Sequence, residues 1–155
     1  MPLLQPHDDA YAQRTRDSFG RQAAMATLGA ELRSVDAGRV VIAMAHRDAL
    51  TQQHGYLHAG MLAAALDSAC GYAAFSLMPA DAAVLTIEFK INLLAPARGP
   101  RFRLEGQVTK AGRVINVVEG RAFEHGADAG EGEGKLIATM TATVMTVRGR
   151  DGLQH

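Results

Sequence analysis

Hydrophobic and polar positions follow three successive patterns along the chain. From Asp8 to Leu28 apolar positions recur at helical spacing: Tyr11, Thr15 and Phe19 stand four apart and Met25 and Leu28 continue the face. Arg14, Arg16, Asp17 and Arg21 fall on the solvated side, and Gly29 closes the predicted helix. Glu31–Val35 and Val40–Met44 then alternate as strands around an Asp36–Arg39 turn, which predicts a hairpin, and Arg47 to Tyr56 reads as loop. From Gly60 to Met78 the chain is small or apolar almost throughout, which predicts a long helix ended by Pro79. After it the period changes to two. Val84–Leu94, Arg101–Val108, Val114–Phe123 and Leu136–Val147 are predicted strands, with Leu85, Ile87, Phe89, Ile91 and Leu93 on one face of the first. Pro96 to Pro100 and Lys110–Arg113 connect them, Gly126 to Gly134 is a loose acidic tip, and the tail from Arg148 lacks a core pattern.

Successive hairpins imply an antiparallel sheet. A helix apolar all round must be covered on most of its surface, and a curved sheet wrapped about it does this with the fewest elements. The expected fold is therefore α+β: an N-terminal helical extension over residues 1–29, one domain over 30–147, and a tail over 148–155.

Composition narrows the function. The chain has 155 residues, enough for one real core, with 48% apolar but only 5% aromatic residues. Lys plus Arg and Asp plus Glu number 16 each, so no basic stripe favours nucleic acid. The single cysteine excludes an intrachain disulfide framework and fits a reducing compartment. The first residues lack the basic and apolar regions of a signal peptide, and Asp67 with several Ala and Gly argues against a membrane span at 60–78. A cytoplasmic protein is expected. His46, His54 and His125 show no ligand spacing, so neither a metal nor a separate cofactor is expected.

The chemistry centres on Asp67, the one acid of the long helix, in a stretch from Asp48 to Phe89 without Lys or Arg. A carboxylate among apolar residues needs partners or a shifted pKa. Its helical neighbours Ala63, Ala64, Cys70 and Gly71 are all small and leave space beside it, while Cys70 itself reads as an inert core residue. The helix opens at Ala59 and Gly60, where free N–H groups and the positive end of the dipole suit a developing oxyanion.

Gln52, followed by His58-Ala59-Gly60 and by an acid nine residues after the histidine, resembles the PaaI-like hotdog-fold acyl-CoA thioesterases over roughly residues 30 to 147. Members of that family usually carry His-Gly-Gly and an upstream Asn or Gln; here Ala59 replaces the first glycine but keeps its N–H. The resemblance implies a hotdog fold and hydrolysis of an acyl-CoA to a carboxylic acid and free coenzyme A. It implies Asp67 as general base or nucleophile, Ala59 and Gly60 at the oxyanion, and Gln52, His58 and Thr86 around them. Beside Gly71, the cations Arg98, Lys110 and Arg113 are candidates for contact with coenzyme A. At about 1.5 Å per residue Asp67 lies roughly 12 Å from its own helix start, too far for one carbonyl to touch both. Two antiparallel helices from two subunits solve this, and the resemblance implies such a homodimer, commonly doubled into a homotetramer. The rivals are a hotdog hydratase or dehydratase, whose motif of Tyr, Gly-Asp and Asn-Pro before a His is absent, and a non-catalytic acyl-CoA-binding module.

Overall fold

The computed structural model describes residues 4–130, 132 and 134–153. Glu131 and Glu133 of the acidic tip and the last two residues of the tail lie outside them. Two short helices, α1 (Tyr11–Arg21) and α2 (Ala23–Leu28), precede a hairpin of β1 (Glu31–Asp36) and β2 (Arg39–Ala45). A 3₁₀ turn at Asp48–Leu50 leads to the long helix α3 (Ala59–Phe75). Four strands follow: β3 (Ala83–Leu93), β4 (Arg101–Lys110), β5 (Ile115–His125) and β6 (Lys135–Val147).

All six strands form one antiparallel sheet in the order β1-β2-β4-β5-β6-β3. Its inner face carries Val40, Ile42, Phe102, Leu104, Val118, Ala142 and Val144, all buried, against Leu62, Leu66, Ala69 and Ala73 of α3. Each fully buried Leu or Ile contributes about 1.5–3 kcal/mol of transfer free energy, so this layer holds the fold. The helix lies close because Gly106 and Gly120 face each other across β4 and β5. A Cβ at Gly106 would collide with the carbonyl of Ala69, and one at Gly120 would stand 2.9 Å from Cys70 Sγ. This is the curved sheet about a central helix that the hotdog resemblance implies.

Four expectations need correction. The predicted N-terminal helix is two, broken at Gln22, whose ψ of 97° is extended; the break lets the Gln22 amide reach Ser68 of α3 at 3.2 Å. Arg14 is not solvated. Its guanidinium lies 4.2 Å over the Phe75 ring, donates to Met78 O at 2.7 Å at the end of α3, and pairs with Asp8. β3 and β4 are not a hairpin: β3 pairs with β6 at the sheet edge, while β4 crosses back to pair with β2. Finally, a bulge between Thr86 and Glu88 breaks the alternation of β3. Thr86, Phe89, Ile91 and Leu93 oppose Val144, Ala142, Met140 and Ala138 and share the inner face, whereas Leu85 opposes Met145 on the other.

Candidate active site

The hydrogen-bonded ladder of α3 fixes Asp67 on a side of the helix that the sheet reaches only through its edge strand β3, with Ala64 and Gly60 exposed on the preceding turns. Asp67 is half-buried. The Thr86 hydroxyl donates to its Oδ1 at 2.9 Å, which the bulge in β3 makes possible. Burial pushes the Asp67 carboxyl above its ordinary range, and the Thr86 hydrogen bond pulls it only partly back; neither influence is a cation. The result is a carboxylate held in place, weakly solvated and more basic than a surface Asp.

At the helix start His58 is the N-cap, and its Nδ1 accepts the Gly60 N–H at 2.8 Å. That bond requires the ring's neutral form with the proton on Nε2. Gly60 is therefore already bonded in the resting chain. Among the described residues the Ala59 N–H has no partner, so it is the free donor at the positive end of α3. Gln52 accepts from the His54 N–H through Oε1, which leaves its amide NH₂ to offer.

Gln52, His58 and Ala59 line one groove of about 450 Å³ together with Tyr56, Leu62, Leu93, Leu94 and Pro96. Asp67 and Thr86 are not in it, in keeping with the eight residues that separate Asp67 from Ala59. Tyr56, Leu93 and Leu94 were not singled out from the sequence: Leu93 alternates as a core position, and only the edge placement of β3 leaves it 52% exposed. Arg98 stands beside the groove with its guanidinium 5.4 Å from the Tyr56 ring centroid. Lys110 ends β4 and Arg113 lies in the turn after it, a strand length of about 30 Å from Arg98, so one chain does not gather the three cations. Cys70 is buried, and burial with the nearby Asp67 charge pushes its thiol upward, out of reactive range. Among the described residues no group of three or more His, Cys, Asp or Glu is placed to hold a metal ion. A larger groove of about 520 Å³ on the outer face holds no predicted site residue; its Arg33, Arg39 and Arg103 pair with Glu31, Asp36 and Glu105.

The profile of the Thioesterase superfamily matches residues 54–127, a stretch that includes His58, Asp67 and Thr86 but not Gln52. A thioesterase family protein from Silicibacter pomeroyi is 54% identical, with a TM-score of 0.84, over 90% of this chain and 99% of that one. The chain belongs to the thioesterase superfamily. The PaaI protein of Escherichia coli, from the phenylacetic acid degradation operon, shares the family fold at 21% identity and a TM-score of 0.78, over 88% of this chain and 93% of that one. A curated relative from Saccharolobus solfataricus, named as a candidate esterase, is 35% identical over 56% of this chain. The match spans 61% of that relative's own length. No helix among the described residues is long and apolar enough to cross a membrane.

Proposed function

We propose that the protein hydrolyses acyl-CoA thioesters to a carboxylic acid and free coenzyme A. The observation that carries this reading is Asp67: a half-buried carboxylate, raised in pKa by burial and oriented by Thr86, on the open side of the central helix in a chain of the thioesterase superfamily. Asp67 takes a proton from water as that water attacks the thioester carbonyl, or attacks the carbonyl itself to form an anhydride that water then opens. Either way the carbonyl oxygen gains charge, the carbon–sulfur bond breaks, and the thiolate of coenzyme A leaves.

The donor for that oxygen comes from a second copy. The Ala59 N–H lies about 12 Å along α3 from Asp67 of the same chain. An antiparallel neighbour, laid over the open side of α3 and the exposed inner row of β3, brings its own helix start to this carboxylate. Support for that partner comes from Phe89, Leu93 and Leu94, which are 43%, 52% and 55% exposed along one edge. In this homodimer, or a tetramer built from it, Gln52 and His58 flank the thioester and Arg98 meets a phosphate of coenzyme A. The reaction is assigned to the cytoplasm.

Asp67→Asn keeps shape and volume but can act neither as base nor as nucleophile. With folding and assembly intact, thiol release from the best acyl-CoA is expected to fall by on the order of 10² or more in kcat. A folded Asp67→Asn oligomer working at near wild-type rate would leave a binding module as the better account.

A further inference from the structure

We propose that Gly71 sets the size of the acyl group the site accepts, an inference that rests on the acyl-CoA reading above. Glycine inside a helix costs about 0.5–1 kcal/mol relative to alanine, so its presence in α3 calls for a reason. Gly20 of α1 is exposed with nothing around it; at Gly60, Gly106 and Gly120 the reason is packing. Gly106 and Gly120 make room for α3, and a Cβ at Gly60 would press on the His58 ring at 3.1 Å. At Gly71 packing supplies none: the residue is buried, yet a Cβ there would find no atom within 4 Å beyond its chain neighbours and its own helix backbone. There is space beside the helix at this buried point.

Its position gives the space a use. Gly71 follows Asp67 by four residues and so lies on the same side of α3, one turn further in. An attacked carbonyl carbon must come within about 3–3.5 Å of the reacting oxygen, and the rest of the ester extends from there in two directions. Toward the helix start, Ala64 and Gly60 lie on the side over which the proposed partner helix is laid. Toward Gly71 the surroundings close: Ala74, the next residue on that side of α3, is 1% exposed. An apolar acyl chain or aryl ring belongs in that direction. Its first carbons pass the missing side chain of Gly71.

The test compares wild type, Gly71→Ala and Gly71→Val on a series from acetyl-CoA through longer straight-chain to aryl-CoA esters, read by thiol release, with light scattering on each protein. The ratio of kcat/KM for the bulkiest accepted ester over acetyl-CoA is expected to fall at least tenfold in Gly71→Val, and less in Gly71→Ala. Gly71→Ala, the smaller change, carries the test should the valine variant fail to assemble. Profiles that stay parallel to wild type, or a uniform loss accompanied by altered assembly, overturn the inference and assign the space to the partner chain. A wild-type protein that releases thiol from no CoA ester removes the acyl-CoA reading itself, and this inference with it.

Discussion

At the scale of single residues the decisive feature is a carboxyl whose proton is held more tightly in the folded chain than in the unfolded one. Between the ordinary carboxylate value and the raised one, the folded state binds more protons, so this group's contribution to stability is greatest at low pH and falls as pH rises through that interval. Asn does not titrate. Asp67→Asn is therefore expected to melt higher than wild type at neutral pH, with the gap closing as pH drops through that interval to the ordinary carboxylate value; a wild type that melts higher at neutral pH would contradict the burial argument. In the proposed reaction the ionised form acts as base or nucleophile, so kcat/KM is expected to rise with pH along an acid limb set above a surface Asp. Thr86→Val removes the one hydrogen bond that holds this proton affinity down, and the limb should move to still higher pH. An unmoved limb would strip Thr86 of its influence on Asp67.

At the scale of elements, two glycines invite the same substitution with opposite outcomes. Gly106→Ala forces β4 away from α3 at the Ala69 carbonyl and should cost about 1–3 kcal/mol, measured by denaturant unfolding. Gly71→Ala meets nothing and should be neutral or stabilising. The sequence does not show this difference, because Gly71 sits in an apolar helix and Gly106 in an alternating strand and the contact that separates them is tertiary. What could be read along the chain was local: the long helix from its composition, the strands from their alternation, the Gly29 stop from its conformational freedom. Breaks made by distant partners could not be read. Gly20 stands just before Gln22 but does not tell where the helix yields to a hydrogen bond with Ser68, and nothing in the Arg14 neighbourhood foretells that it meets the end of α3. Strand order was hidden for the same reason, since the chain between β3 and β4 looks like any short connection. The site was half legible. His58, Gly60 and Asp67 stood out by spacing, but that the His58 ring occupies the Gly60 donor, and leaves Ala59 as the free one, needed coordinates.

At the scale of the whole molecule the separation of Asp67 from Ala59 and the bare apolar edge point the same way. The protein is expected to be an oligomer in light scattering, and Leu93→Asp, placed on that edge, should weaken assembly and thiol release together. An active species near 16.5 kDa would end the shared-site argument. The edge also depends on a matter of phase. In an uninterrupted β3, Leu85, Ile87, Phe89, Ile91 and Leu93 would share one side and Thr86 would keep company with Glu88, Lys90 and Asn92. The bulge takes up one residue as a spacer, and thereby puts a hydroxyl and an oily row on the same side of the sheet. A chain shortened by Ile87 alone would keep that arrangement, with Thr86 and Phe89 still in step. A chain lengthened by one residue between Ile91 and Leu93 would throw the strand's last apolar residue out of step with them. Length changes in this strand are thus tolerated or forbidden by parity, one position at a time, long before the chemistry of any side chain is consulted.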